Sequence, residues 1–318
     1  MADEITTTSH NDLTQSTLVA PFIRRTLSER GGLWRYCREF NLTSNWPAAG
    51  ISIPTENSFW GSVADDGQGV DTEFDATQAT DLANTPVTTG AVTCTPGEYG
   101  VALEVTKNVE EDSVGAIDLY GLLEERMLHA IDLAMVDDLC ALFASVSGSV
   151  GASGVNLSVA NLISAFQGLR TSSVDADAII GILDGVQATD VENDLVAANA
   201  AAAVFALSAD RLIGYSPGAN AGISASKQFM TFRGAPMIST GLTDTANGGA
   251  DVVGCVFCPS TAYNDMTGAT TFGMAWKRLP TLDTDKIVLG RSIQLVMTAR
   301  AGFTELQDGS GRNVTTDA

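Results

Sequence analysis

Apolar and polar residues alternate in several short runs between residues 51 and 106. Side chains of a β-strand point to opposite faces in turn, so this alternation predicts strands. The runs are 51–54, 59–63, 89–95 and 99–105. Residues 65–69, AspAspGlyGlnGly, are typical of a turn. The segment is predicted to form a long two-stranded excursion, out and back. Because an isolated ribbon is only marginally stable in water, its burial is expected to come from a neighbour.

A second pattern, with three-four spacing, extends from residue 114 to residue 146 without a proline. It predicts one helix roughly 50 Å long, well above the usual length. The apolar stripe consists of Tyr120, Leu123, Met127, Ile131, Met135, Leu139 and Leu142. Apolar residues also occupy other faces, which indicates burial on several sides. Two interpretations stay open: a core helix of a globular domain, or a spine that holds separate lobes together.

The rest of the chain mixes helices and strands without regular β-α-β alternation, so the fold class is α+β and a Rossmann or barrel enzyme is disfavoured. The predicted helices are 157–169 and 191–207. The predicted strands are 178–183, 252–258 and 291–303, and residues 232–240 are predicted to form a turn and a strand. An exposed polar tail is expected after the last of them. Residues 1–50 keep no period for long and are expected to form an extended arm.

The 318 residues include 38 acids and 17 bases, for a net charge of −21. This argues against a nucleic-acid-binding protein and against adhesion to an anionic membrane, because both need clustered Lys and Arg. No run of about 18 apolar residues is present, so no membrane span is predicted. Residues 1–12 lack the basic start and apolar stretch of a secretory signal. The protein is expected to stay in the compartment where it is made.

The charge is distributed unevenly along the chain. Residues 51–106 hold nine acids and no base, whereas residues 1–50 contain a cluster of five arginines between residues 24 and 38. A segment with acidic residues and no basic ones either binds a basic surface of a partner or stays solvated. We expect the acidic segment to contact the arginine cluster of another copy of the chain.

The five cysteines and two histidines limit the catalytic chemistry. Cys255 and Cys258 form a CxxC, but no second pair or nearby histidine completes a zinc site. Their surroundings are typical of a buried strand ending at Pro259, which favours core thiols over a redox pair. An odd number of cysteines fits a reducing compartment.

No nucleophile elbow, P-loop, zinc-protease motif or dinucleotide fingerprint occurs in the sequence. His129 falls within the predicted helix, where a packed histidine is commoner than a general base. Asp244, Asn247 and Asp251 could ligate calcium, but EF-hand spacing is absent and a polar loop is the better interpretation. We predict no catalytic residue, no metal site and no cofactor.

Four motifs occur in a recognisable order. They are ValThrLysAsnValGluGluAspSer at 105–113, a helix end at 128–143 with the acid pair Asp137 and Asp138, GlyAlaProMetIleSerThr at 234–240, and ArgAlaGlyPhe at 300–303. In this order they resemble the major capsid proteins of tailed bacteriophages, which have the Hong Kong 97-type fold. That fold comprises an N-terminal arm, an extended β-loop, a long spine helix, a peripheral domain and an apical α/β domain. The resemblance covers nearly the whole chain.

The resemblance implies a division of the chain into five parts. They are the N-terminal arm (1–50), the extended β-loop (51–109), the spine helix of the peripheral domain (110–150), the apical domain (151–259) and the return strands of the peripheral domain (260–318). Some family members cross-link through a lysine in the extended loop, but residues 51–106 contain no lysine. Noncovalent contacts are therefore expected to hold the shell. The sequence shows no long helical scaffolding segment before the arm, so scaffolding is expected to come from a separate protein or to have been removed by processing, and the starting Met favours the former.

Charged and aromatic residues of the arm and loop are the candidates for contacts between subunits. They are Arg24, Arg25, Arg30, Arg35, Arg38, Trp34, Trp46, Phe59, Trp60, Asp65, Asp66, Asp71 and Glu73. Arg and acid residues would give electrostatic complementarity, and aromatics dominate interface energetics. For each aromatic, an ordinary core position is an equally good interpretation.

The resemblance implies a structural virion protein that is not an enzyme. It would assemble into hexamers and pentamers of an icosahedral shell enclosing the phage genome, in the host bacterial cytoplasm. Portal, scaffolding or decoration proteins would be its partners, and packaged DNA would make only weak, non-specific contact with the acidic lining. The alternatives are an encapsulin-like compartment shell and, in a different class, an acidic cytosolic enzyme with an unrecognised site.

Overall fold

The computed structural model describes residues 4–5, 32–41, 50–56, 89–109, 119–171, 178–201 and 228–318. Its α-helices are α1 (Leu119–Ala141), α2 (Val159–Thr171), α3 (Gly185–Ala201) and α4 (Ala262–Thr267). Residues 107–109 are also helical. Short 3₁₀ segments are Leu33–Tyr36, Leu142–Ser145, Asn247–Gly249 and Asp308–Ser310.

Fourteen strands are described. The first seven are β1 (Glu4–Ile5), β2 (Arg38–Asn41), β3 (Ile51–Glu56), β4 (Thr89–Cys94), β5 (Gly97–Thr106), β6 (Ser149–Val150) and β7 (Ile180–Asp184). The others are β8 (Gln228–Phe232), β9 (Ala235–Thr240), β10 (Thr245–Ala246), β11 (Asp251–Phe257), β12 (Phe272–Ile287), β13 (Ser292–Glu305) and β14 (Gly311–Asp317).

A five-stranded sheet in the order β1-β5-β13-β12-β2 forms one half of the fold. Its centre is the long antiparallel hairpin of β12 and β13. The sequence did not predict β12, because Pro280 cannot donate to a strand ladder and charged residues disturb the alternation. The structure accommodates the proline between Arg278 and Thr281, where the register with β13 shifts.

Helix α1 packs on this five-stranded sheet. Its residues Leu123, Met127, Ile131, Met135 and Leu139 are all buried in one core with the apolar side chains of β5 and β13. The predicted stripe is therefore confirmed over the described residues. The predicted helix begins at residue 114, but residues 110–118 lie outside the described part of the chain, and beyond Ala141 the helix tightens into a 3₁₀ turn.

A second sheet has the order β6-β14-β11-β7-β9-β8, with β10 beside β11. The predicted strands at 178–183 and 252–258 are confirmed as β7 and β11, and the strand predicted within 232–240 is confirmed as β9. The sequence did not predict β8. Every residue of β11 is buried, as expected for a central strand. Helices α2 and α3 pack on this sheet in a separate apolar core.

The expectation of an exposed polar tail after residue 303 is wrong. Residues 311–317 form β14, which lies between β6 and β11 and pairs along its whole length with β11. Val314 and Thr316 are completely buried. Burial of this polar strand is possible because its side chains have partners: Gln187 Nε2 donates to Thr316 Oγ1 at 2.9 Å, and Asn313 Nδ2 donates to the Val146 carbonyl at 3.1 Å.

Three phenylalanines join the two halves of the molecule. The ring centroids of Phe143, after α1, and Phe257, in the second sheet, are 6.1 Å apart, and Phe272, at the start of β12, lies 5.8 Å from Phe143 and 5.1 Å from Phe257. All three rings are fully buried. Aromatic pairs at these distances gain energy beyond the burial of their area, so this cluster fixes the end of α1 between the two sheets.

Candidate subunit interface

A two-stranded ribbon made of β3 and β4 leaves the five-stranded sheet. The two strands are antiparallel, with Ile51 opposite Cys94 and Glu56 opposite Thr89. Among the described residues, no third strand pairs with them. The predicted strands at 51–54 and 89–95 are thus confirmed, whereas those at 59–63 lie outside the described residues. The predicted strand at 99–105 is β5, which pairs with β13 and β1 and not with the ribbon.

The root of the ribbon is packed closely against the sheet. Cys94 and Ala275 are buried together, with Ile51 and Phe40 against them. A side chain at Gly50 would come within 2.7 Å of the Cys94 carbonyl oxygen, a distance too short for any β-carbon. The small residues Gly50, Cys94 and Ala275 therefore allow ribbon and sheet to approach closely at this end.

The described part of the arm is anchored on α1 and on β12. The Trp34 indole N–H donates to Asp132 Oδ1 at 2.5 Å, and the backbone N–H of Gly32 donates to the same oxygen at 3.2 Å. The Trp34 ring also packs edge-on against Trp276, with centroids 5.8 Å apart. Trp34, a candidate for subunit contacts, is thus half-buried within its own chain.

Two of the candidate arginines lie over aromatic rings of the same chain. The guanidinium carbon of Arg35 is 5.5 Å from the centre of the Trp34 ring, and that of Arg38 is 5.3 Å from the Phe40 ring. Arg38 also donates to the Asp265 carbonyl at 3.2 Å. The other candidates lie outside the described residues: Arg24, Arg25, Arg30, Trp46, Phe59, Trp60, Asp65, Asp66, Asp71 and Glu73.

The cysteines are placed as buried core thiols. All five are free and buried, including Cys255 and Cys258 of the CxxC. Burial is the main cause that raises the pKa of Cys140 to about 12, and nearby Asp137 and Asp244 contribute to the same rise. Burial also raises the pKa of Cys37 and of Cys255. Since the thiolate is the reactive form, these side chains are inert near neutral pH.

The polar loop that could have ligated calcium satisfies its carboxylate internally. Asp251 accepts hydrogen bonds from the Gly154 backbone N–H at 3.1 Å and from the Asn247 side chain. A further hydrogen bond with Ser153, together with these two, lowers the pKa of Asp251. In the described ranges no three His, Cys, Asp or Glu side chains group as metal ligands. No described helix is both long and apolar enough to cross a membrane.

Solved structures share this architecture along nearly the whole chain. The capsid of the cyanophage P-SCSP1u gives a TM-score of 0.62 at 10% identity, covering 96% of this chain and 94% of that one. The head structure of Helicobacter pylori bacteriophage KHP40 gives 0.62 at 12% identity, covering 98% and 97%. The chain has the Hong Kong 97-type fold. The fold predicted from the order of the sequence motifs is therefore confirmed.

The solved structures similar to this chain include an encapsulin as well as phage capsids. The holo-encapsulin complex from Synechococcus elongatus PCC 7942 gives a TM-score of 0.58 at 9% identity, covering 90% of this chain and 86% of that one. No protein-family model matches the sequence, and a search of curated proteins gave no match. At such low identities the likeness concerns the fold, and function must be argued from the molecule.

Proposed function

We propose that this protein is the major capsid protein of a tailed bacteriophage, and that copies of it assemble as hexamers and pentamers into the icosahedral shell around the phage genome. The observation that carries the proposal is the whole-chain likeness to phage capsids, with 95% or more of this chain covered in each comparison. The protein is accordingly proposed to assemble in the host bacterial cytoplasm and to be located finally in the virion. The same likenesses argue against an enzyme.

The five parts inferred from the sequence carry over as proposed roles. Residues 1–50 are the arm, 51–109 the extended loop, 110–150 the spine, 151–259 the apical domain and 260–318 the return strands. The apolar core around α2 supports an apical unit. The core under α1 also includes residues of the second sheet, so the peripheral and apical units share packed side chains: Ile180, Ile182, Ile238, Val253, Cys255 and Phe257. β14 belongs to the same sheet as β11, so the return strands also complete the apical unit.

A neighbouring subunit is proposed to supply the packing surface that the ribbon lacks in its own chain. The ribbon has one strand pair and no third strand in the described part of the chain, and such a ribbon is only marginally stable alone. Contacts with the next subunit along β3, β4 and the residues between them would bury its exposed backbone edges. Trp46, Phe59 and Trp60 are proposed as the aromatic anchors of these contacts. The acids Asp65, Asp66, Asp71 and Glu73 are proposed to contact a basic surface of the neighbouring subunit.

Electron microscopy of the purified protein tests the proposal. Closed shells or rings of five and six subunits are the expected result, formed by the chain alone or with a scaffolding protein encoded beside it. A small monodisperse particle under both conditions would contradict a shell protein. Portal and decoration proteins are proposed as further partners, to be identified by mass spectrometry of the intact virion.

An encapsulin-like compartment is the second candidate, because one encapsulin complex shares the fold. The two functions differ in what the shell contains. Particles that enclose double-stranded DNA after infection or induction support the phage capsid. Particles that instead enclose one cargo protein, with no DNA resistant to nuclease, support the compartment.

Contact between the shell and packaged DNA is proposed to be weak and non-specific, because the chain carries a net charge of −21. Binding of linear DNA to empty shells at 50 and 200 mM salt would measure it. Tight binding that falls steeply with salt would contradict the proposal, since such a slope reports many Lys or Arg contacts to phosphate.

A further inference from the structure

Three cationic residues line one pocket at the end of the five-stranded sheet. The pocket has a volume of about 310 Å³. Its described lining is Lys107, Lys286, Ile287, Val288, Arg291, Ser292 and Ile293, and we call it the basic pocket. All three cations are exposed to solvent. In a chain with 38 acids and 17 bases, such a concentration of positive charge stands out.

The backbone fixes the position of the three cations. The Lys107 N–H, directly after β5, donates to the Arg291 carbonyl at 2.9 Å. On the other side of β13, Lys286 is paired with Ile293 in the register of the hairpin. Arg291 lies in the turn between β12 and β13 with a φ of 51°. Residues nearly 180 positions apart in the sequence are therefore held at one end of the sheet.

The charge of the basic pocket is not neutralised by the described part of the chain. No described carboxylate forms an ion pair with Lys107, Lys286 or Arg291. Glu104, on the neighbouring strand, accepts a hydrogen bond from the Ser292 hydroxyl. Apolar side chains stand beside the cations, with Val288 84% exposed and Leu289 fully exposed. A ligand that suits this surface combines several carboxylates with apolar groups.

Residues 65–75 of the same sequence have this composition. The segment AspAspGlyGlnGlyValAspThrGluPheAsp contains five acids, two apolar side chains and no base. Building on the proposed function, we propose that the basic pocket binds the acidic segment 65–75 of a second copy of the chain. The described arm arginines, Arg35 and Arg38, already lie over rings of their own chain, whereas the pocket cations have no described partner.

The positions of ribbon and pocket favour a contact between copies. The ribbon is rooted near Gly97, at the start of β5, and the basic pocket lies just beyond Thr106, at its end. Ten residues of extended chain place them about 30 Å apart. A contact between two different surfaces of identical subunits is head-to-tail, and such contacts close into rings when the rotation permits. Rings of five or six copies are what the proposed shell requires.

Exchange of charges between two variants tests the inference. The pocket variant carries Lys286→Glu and Arg291→Glu, and the segment variant carries Asp71→Lys and Glu73→Lys. Each alone is expected to raise the concentration needed for ring formation about tenfold or more, since like charges then face each other. When the two are mixed, the segment of each chain matches the pocket of the other. Rings with an even number of subunits are expected to return, as measured by native mass spectrometry.

A matched control separates local from global charge effects. Arg170→Glu with Arg233→Glu changes the net charge equally, and both sites are exposed. Arg233, like Arg291, lies in a turn at positive φ, so any backbone strain is matched as well. Circular dichroism checks that all variants fold.

Two outcomes would overturn the inference. One is a pocket variant that assembles as readily as the control variant. The other is assembly of a single chain carrying all four substitutions while the mixture of variants fails, which would place the segment in its own chain's pocket. Both outcomes leave the proposed function intact, because that rests on whether the wild-type protein forms shells at all.

Discussion

Trp34 and Asp132 are 98 residues apart in the sequence and are joined by a hydrogen bond of 2.5 Å from the indole N–H to the carboxylate. Because the same carboxylate also accepts the Gly32 N–H, one side chain of α1 fixes the path of the arm where it meets the sheet. The arm is therefore anchored in the isolated subunit before any contact with a neighbour is made.

Replacing Trp34 by Phe is expected to lower the free energy of unfolding by at least about 1.5 kcal/mol, because a hydrogen bond to a charged acceptor is lost and the indole is replaced by a smaller ring against Trp276. Asp132→Asn keeps a neutral acceptor and is expected to cost less. Urea denaturation at one fixed protein concentration measures both. Equal stability of Trp34→Phe and wild type would show that the hydrogen bond contributes nothing.

Gln187 is completely buried and donates to the Val314 carbonyl at 2.8 Å and to Thr316 Oγ1 at 2.9 Å. Gln187→Met keeps the size of the side chain but leaves these acceptors without their donor, so we expect a loss of about 2–3 kcal/mol. Thr189→Ala, on the exposed face of the same helix, serves as the control and is expected to change stability by less than about 0.5 kcal/mol. Equal effects in chemical denaturation would argue against the buried network.

Two glycines with positive φ distinguish close packing from backbone strain. Gly151 has a φ of 96°, and a β-carbon there would lie 2.3 Å from the Thr315 carbonyl oxygen of β14. Gly154 has a φ of 69° with no atom within 4 Å of that position. Gly154→Ala is expected to cost about 1–2 kcal/mol from strain alone. Gly151→Ala must also displace β14, so thermal unfolding should show a clearly larger loss; equal losses would contradict the packing.

The buried thiol of Cys140 makes the protein sensitive to alkali. Its folded pKa is about 12, whereas an unfolded cysteine has a pKa of about 8.5. The unfolded chain therefore loses this proton first as the pH rises, and this thiol alone lowers stability by about 1.4 kcal/mol per pH unit between these values, in addition to the effects of Cys37 and Cys255. Cys140→Ala is expected to flatten this dependence in urea denaturation between pH 8 and 10. The exposed Ser164→Ala should leave it unchanged, and an identical slope in all three proteins would refute the assignment.

The sequence predicts best where a local period determines burial. Met127 and Met135 lie on a three-four stripe, and α1 buries that stripe as expected. β14 escaped prediction because its polar residues are buried through distant partners, Gln187 and β11, which no local pattern reveals. β12 escaped it because Pro280 opposes a strand unless a register shift accommodates it.

The candidate interface shows the same limit. Arg35 and Arg38 were recognisable as a basic cluster because they are near in sequence. Lys107 and Arg291 meet only through the pairing of β5 with β13, so the basic pocket could not be predicted from composition or spacing. Sequence patterns give the elements and the charge of each segment, whereas long-range register decides which charges meet.

The place of β14 also bears on how the chain folds during synthesis. Residues 311–317 lie between β11 and the two-residue edge strand β6, so β6 cannot join the second sheet until they have left the ribosome. Until then, one edge of the wholly buried β11 has no strand to pair with. Pairing over such a sequence separation is slow relative to local helix formation. A chain that ends before residue 311 would therefore leave this edge of β11 unpaired along its whole length, and such an edge is prone to pair with other chains.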